Sequence, residues 1–195
     1  GATAPVDVAK AEAGIAQPYV YTRGLAKVAV IDLDNPKVSN FTEFEFPFTE
    51  EEKKEGYSVG RIDVPILNAT KDKIFIGCNL AKANTTQTAK TVNKETGVTT
   101  WAWASDASNI KGTVTLVLDY PSLTNPKLIW STQSKANNNS YRTMTQYLGT
   151  DDHIYQATAT GGSQILRINK STNAYDNSYN FDLKVALETT NSISI

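Results

Sequence analysis

With 195 residues, 40% of them hydrophobic and 20% charged, the chain is long enough to bury a real core, and its composition excludes wholesale disorder. A formal charge of −1 excludes a general electrostatic pull toward nucleic acid or an acidic membrane surface. The lone cysteine, Cys78, excludes an intrachain disulfide, and no run approaches the ~20 apolar residues of a membrane-spanning helix. No secretion signal is present, and the leading Gly1 fits a start from which a signal and lipid-anchor cysteine have been cut. Abundant Thr, Asn and Ser with few helix-periodic stretches point to an exported all-β protein.

Residues 1–17, rich in Ala and Gly, read as an irregular entry segment with at most one helical turn. Strands are predicted at PYVYTR from Pro18, then AKVAVIDLD and VSNFTEFEF, the last two joined by the turn DLDNPK. The charge run over residues 47–60, PFTEEEKKEGYSVG, predicts a solvated loop or short helix. IDVPIL, the turn NATKDK and IFIGCNL follow, then a polar insertion from Ala81 to Lys111 that carries WAW at 101–103. GTVTLVLDY, the turn YPSLTNPK and LIWSTQS lead through the polar loop KANNNS to YRTMTQYL, the turn GTDD, HIYQATA, ILRINK and AYDNSYNFDL. Cys78, inside the apolar KIFIGCNL, reads as a small buried core residue.

One stretch is written twice. RIDVPILNATKDKIF from Arg61 aligns with RTMTQYLGTDDHIY from Arg142, placing Arg61 on Arg142, Leu67 on Leu148 and Phe75 on Tyr155 with one gap near Ala69. Each copy predicts two strands about a tight turn. The third strands also align, as VAVIDLDNPKV, TLVLDYPSLTNPKL and QILRINKSTNAY, each closing on Asp32, Asp119 or Asn169 before its turn. Arg142 lies 81 positions after Arg61, and removing the insertion of about 30 leaves about 50, near the ~40–50 residues of a propeller blade. The pattern therefore predicts an all-β fold, a β-propeller with four-stranded antiparallel blades. The units fall at about 18–48, 57–134 and 141–185, so the chain covers about two and a half to three blades of one propeller domain over 18–195. A β-sandwich is the alternative that short strands and regular turns also allow. Propellers close with ~4–8 blades, so the chain is expected to be part of a larger ring.

In such a fold the tight turns share one face, while the TRGLA corner, the EEEKKEGYS loop, the 81–111 insertion, KANNNSY and TGGSQ share the other. Function gathers on variable loops carried by a rigid scaffold, which selects the second face. Three of the four arginines fall there, Arg23, Arg61 and Arg142, and with Tyr57, Tyr141, Trp101 and Trp103 they form the candidate ligand-binding set. Guanidinium groups suit multidentate anions, and the aromatic rings suit a flat ring or a sugar face. The plain alternatives are that Arg61 and Arg142 pair with blade carboxylates and that the two tryptophans pack the insertion onto the scaffold. No catalytic residue and no metal ligand is assigned: His153 aligns with Lys73 in a turn on the opposite face, and no Ser/His/Asp set, phosphate-cradling loop or Cys/His pattern is present. Asp151 and Asp152 beside Gly149 read as an acidic turn, with calcium as the lesser alternative.

HIYQATATGGSQILRINKSTNAYDNSYNFDL, with RIDVPIL, KIFIGCNL and TLVLDYPS before it, resembles a propeller family of surface-exposed lipoproteins in gut Bacteroidetes over about Pro18 to Leu183. The family's full domain is roughly twice this chain, and one branch is similar to the xenosiderophore-binding lipoproteins. That resemblance implies a lipid-anchored protein on the outer-membrane surface that is not an enzyme. It would capture a ferric catecholate and pass it to a TonB-dependent transporter, with the iron chelate as ligand and no cofactor. A glycan- or protein-binding propeller is the alternative, and a propeller lactonase or lyase is a third class. The rest of the propeller is expected as a second chain or a further segment. No binding motif of the family transfers residue by residue, so the candidate site rests on the loops alone.

Overall fold

The computed structural model describes residues 2–6, 25–82, 90–92, 95, 99–101, 110–138, 146–158 and 163–188. It is predominantly β, built of antiparallel sheets. The first sheet runs in the order β1 (Ala2–Val6), β2 (Leu25–Asp32) and β3 (Lys37–Glu45). A single turn of helix, α1 (Glu50–Lys54), leads to the second sheet. That sheet holds β4 (Tyr57–Leu67) and β5 (Lys73–Lys82), and then the chain forms a separate hairpin, β6 (Lys90–Val92) with β7 (Thr99–Trp101). It returns as β8 (Thr113–Asp119) and β9 (Lys127–Ser131), so the second sheet is a four-stranded meander interrupted once. The third sheet repeats the order with β10 (Gln146–Leu148), β11 (Ile154–Ala157), β12 (Gln164–Asn169) and β13 (Ala174–Tyr175). Its last position is shared by β14 (Phe181–Asp182), which pairs with the other end of β12 and runs into α2 (Leu183–Ala186).

The second sheet is buried on both faces, and strand alternation decides what each face carries. Ile74, Ile76, Cys78 and Leu80 of β5, with Val114, Leu116 and Leu118 of β8, pack against Ala26, Val28 and Val30 of the first sheet. Phe75 and Val117, the intervening residues, pack with Ile129 against Ile154, Leu166, Ile168 and Tyr175 of the third sheet. This is why TVTLVL reads as a continuous run: every residue from Thr113 to Leu118 is buried. Each aliphatic side chain fully buried in this way contributes about 1.5–3 kcal/mol. Cys78 is part of that core, and burial pushes its thiol well above the usual range, which keeps it protonated.

The aligned third strands occupy equivalent places. Leu116 and Leu118 face back toward the first sheet as Leu166 and Ile168 face back toward the second. Val28 and Val30 face forward as Val117 does. The three sheets therefore stack head to tail, each with its front on the next one's back.

A polar network crosses the second interface. The Thr115 and Tyr175 hydroxyls lie 2.8 Å apart, Tyr175 donates to Gln156 Oε1 at 2.6 Å, and Gln156 Nε2 donates to Thr115 at 2.9 Å and to Gln146 Oε1 at 2.5 Å. Gln146 Nε2 completes the chain by donating to the Val64 carbonyl at 2.6 Å. Desolvation holds the Tyr175 hydroxyl above the normal tyrosine range, so it remains a donor. Buried polar groups left unpaired are costly, and this set instead fixes the register between the sheets.

The duplicated sequence is a duplicated hairpin. In the first copy the Asn68 N–H donates to the Lys73 carbonyl at 3.1 Å, and in the second the Gly149 N–H donates to that of His153 at 2.8 Å. Each turn has one residue in the left-handed region, Lys71 at φ 55° and Asp152 at φ 68°. The residues closing the third strands divide: Asp32 and Asn169 cap their own turns by accepting backbone N–H groups, whereas Asp119 takes Lys73 Nζ at 2.5 Å and Asn125 Nδ2 at 2.7 Å.

Three expectations change. Ala2–Val6 is a strand pairing with β2, not part of an irregular entry, because its backbone continues the first sheet in register from Ala2 opposite Ile31 to Val6 opposite Lys27. The strand predicted at PYVYTR lies outside the described residues. The fourth strand of the third unit is split, because Asp176 turns the chain out between β13 and β14. Its carboxylate accepts Ser178 N–H at 3.0 Å and Oγ at 2.6 Å, and Arg167 through Nε at 3.1 Å and Nη2 at 2.6 Å. The KANNNS loop is not a free polar loop. Ala136, Asn137 and Asn138 are buried, since Thr113 binds the Ser134 and Ala136 carbonyls and Asn137 spans Leu80, accepting its N–H at 2.9 Å and donating to its carbonyl at 3.0 Å.

Gly77 is glycine because the Asn138 side chain occupies the space a Cβ would need. Asn138 is fully buried and bridges to Thr158, so it has no room to swing away. Gly77→Ala is expected to destabilise the fold by about 1–3 kcal/mol through overpacking, seen as a lower denaturant midpoint at an unchanged slope. Asp176 is held well below the usual carboxylate range by Ser178 and then Arg167. A depressed folded pKa stabilises above the unfolded value of about 3.9 and is lost as the pH falls below it. Acid unfolding should therefore be shallower below about pH 4 in Asp176→Asn than in the parent, measured by circular dichroism.

Candidate functional site

Antiparallel order puts the β4–β5 and β8–β9 turns at one end of the second sheet, where the Tyr120 N–H donates to the Asp72 carbonyl at 2.8 Å. The third sheet does the same, with Lys170 N–H donating to His153 Nδ1 at 3.1 Å across its two turns. β4 and β10 run side by side in the same direction, joined by Gln146 and Val64, so the tight turns of both units share an end. The longer connections emerge from the other end.

β4 and β10 each form one edge of their sheets, and β4 carries the candidate Arg61. Its pairing with β5 slips twice, between Val59 and Arg61 and again between Ile62 and Pro65. These bulges re-aim side chains on an otherwise regular strand. Between the two slips Arg61 and Asp63, two positions apart and so on one face of the strand, form an ion pair, Nε to Oδ1, with Nη2 reaching Oδ2 at 3.3 Å. The Asp63 side chain is 0% exposed and that of Arg61 26%, so the carboxylate is inside and the guanidinium lies partly exposed above it. The pairing of Arg61 with a carboxylate of its own strand is thus observed.

Tyr57 is not on the rim. Its side chain is wholly buried, because its ring packs against Phe48 and edge-on to Trp130 at 5.5 Å and its hydroxyl accepts the Lys111 N–H at 2.8 Å. It anchors the return of the insertion to the sheet. Around it the EEEKKEG run is an ordered device. Thr49 and Glu52 form a reciprocal capping box, and Glu50, Glu51 and Glu52 sit in the first turn with Lys53 and Lys54 in the last. Glu52 is buried and takes Lys111 Nζ at 2.6 Å, while Glu55 takes Lys82 Nζ at 2.8 Å. Lys111 also lies 4.4 Å over the half-buried Trp130 ring. This cluster of Tyr57, Trp130, Lys82 and Lys111 has no repeat to betray it, so it escapes sequence reasoning; the Thr-x-x-Glu box was its one legible signal.

Trp101 closes β7 opposite Lys90, which places it on the inserted hairpin. Trp103, Arg23, Tyr141 and Arg142 lie outside the described residues. His153 links two turns through its ring nitrogen, and Asp151 accepts the His153 N–H at 3.2 Å and the Tyr155 hydroxyl at 2.7 Å. Among the described residues no group of three or more His, Cys, Asp or Glu is placed to hold a metal ion.

No family model, no curated protein and no solved structure matches the chain.

Removing one partner of a buried ion pair costs up to about 3–5 kcal/mol, and less where the remaining charge keeps other partners. Arg61→Ala is expected to fall in that range by urea denaturation, and Arg61→Lys well below it because the charge is kept while the fork geometry is lost.

Proposed function

We propose that the chain is part of a β-propeller that acts as a non-enzymatic binding protein, taking an anionic, multidentate ligand at the long-connection end of its inner strands. The observation that carries this reading is the Arg61–Asp63 pair on bulged β4. A guanidinium is fixed there by a buried carboxylate beside β10, whose sequence copy begins with Arg142. A guanidinium already held in place loses little rotamer freedom on meeting a ligand, and its planar fork suits multidentate acceptors. One carboxylate already balances Arg61, so the further positive charge of the candidate set is that of Arg142 and Arg23, assigned to it from the sequence alone.

The ligand class proposed is a ferric catecholate chelate, flat-faced and multiply negative, received at the cell surface by a lipid-anchored protein and handed to a TonB-dependent outer-membrane transporter. The remainder of the ring comes from a second chain or a further segment. A glycan- or protein-binding propeller is the second reading; the Trp101 strand on a separate hairpin favours it, because a two-stranded arm carrying an aromatic residue is a way to present a stacking platform.

Titration of ferric enterobactin against tryptophan fluorescence tests the choice, with a ferric hydroxamate as control. Saturable quenching by the catecholate alone is expected, weakened at least tenfold in Arg142→Ala, with Arg61→Lys as the partner variant that keeps the fold. Absence of quenching by either chelate would sink the iron reading, and sugar-dependent quenching lost in Trp101→Ala would replace it with the glycan one.

A further inference from the structure

Among the described residues two faces of the stack have no sheet packed on them, although Tyr179 packs on Tyr155 and Arg167 at one of them. The front of the third sheet carries Tyr147, Tyr155, Ile165, Arg167 and Phe181, related by the cross-strand pairs Tyr147–Tyr155, Tyr155–Arg167 and Ile165–Phe181. Tyr147 is 58% exposed and Phe181 40%. The equivalent residues in the second sheet are Ile66, Phe75 and Val117, and those are covered by the third sheet. The back of the first sheet carries Ala29, Ile31, Val38 and Phe41, related by the pairs Ala29–Phe41 and Ile31–Val38, with Val38 60% and Phe41 54% exposed. Their third-strand equivalents in the second sheet, Leu116 and Leu118, are covered by the first sheet. Two positions that are buried wherever a neighbouring sheet is present thus remain apolar or aromatic where none is.

We propose that these two faces are one interface, filled by a second copy of this chain. The third sheet of each copy covers the first sheet of the other, continuing the head-to-tail contact already made twice within the chain. A front meets only a back in both internal interfaces, so two copies use both open faces at once and close on themselves. Three sheets from each copy give six, inside the ~4–8 range in which such stacks form a ring. The charged groups on the two faces already have partners within the chain, Arg167 with Asp176 on the front and Glu43 with Lys27 on the back, so the contact proposed is carried by the apolar and aromatic residues. This inference rests on the stacking of the sheets and not on the identity of any ligand, so it stands or falls separately from chelate binding.

Light scattering of the intact chain over a concentration series reads it directly. The expected mass is twice 21.3 kDa. Phe41→Lys on the back and Tyr147→Lys on the front change exposed side chains, and each alone is expected to run at 21.3 kDa with an unchanged circular dichroism spectrum. Mixing the two variants should restore a one-to-one pair, because one intact front and one intact back remain. A mass of 21.3 kDa at every concentration, a ladder of larger species, a dimer that survives either substitution, or a mixture that stays monomeric would each overturn the proposal.

Discussion

Everything in this structure depends on one constraint: the middle sheet has no solvent face. A strand sends alternate side chains to opposite sides, so a sheet buried on both must satisfy two packing problems with one sequence. β8 meets the constraint with an unbroken buried run, and β5 meets it with aliphatic residues on one side and Phe75, Gly77 and Asn79 on the other. The two interfaces are solved differently. The first is almost wholly aliphatic and aromatic. The second mixes Phe75, Val117 and Ile129 with the Thr115–Gln156–Tyr175 network and the Asn138 amide set against Gly77. Aliphatic packing tolerates a shift of one sheet over another, whereas a closed hydrogen-bond network does not, so the polar interface fixes the relation that the apolar one only favours.

What was legible in the sequence follows from the same physics. The duplicated hairpin could be read because a tight turn fixes the register of the strands beside it, so its residues recur together: Leu67 with Ile74, and Leu148 with Ile154. The third strands could be read because their closing Asp or Asn serves the turn. Tyr57 misled because an aromatic residue after a charged run looks exposed, while only the fold shows the insertion's backbone returning to bind its hydroxyl. KANNNS misled for the opposite reason. Asn is polar by count, but an amide that can both donate and accept can cap the open backbone of a neighbouring strand, as Asn137 does for Leu80. Neither signal is local, so no window along the chain contains it.

The candidate site was legible in its residue and not in its state. The repeat picks out Arg61, whereas its pairing with the buried Asp63, between two register slips of β4 on β5, has no counterpart in the repeat. That state changes the argument about charge. An arginine already held by a buried carboxylate is a shaped donor rather than a free positive charge. A ligand recognised there is selected by the geometry of its acceptors more than by its net charge. Lys82 and Lys111 are engaged by Glu55 and Glu52 in holding α1 and the insertion in place.

This division of labour explains why the ends of the sheets differ so much. At the tight-turn end Asp72 bonds Asn68, Asp151 bonds Tyr155 and Asp32 caps its own turn, while Asp119 takes Lys73 of the adjacent strand. The first three bonds are short in sequence and the fourth ties two neighbouring hairpins, so they leave little to vary without breaking one. At the other end the anchoring groups reach far along the chain, Glu52 to Lys111 and Leu80 to Asn137, and each holds only the base of a long connection. Beyond those anchors the connections can change in length and composition at no cost to the stacked sheets. A fold arranged in this way confines tolerated sequence variation to one end, because only there can sequence change without disturbing a core packed on both faces.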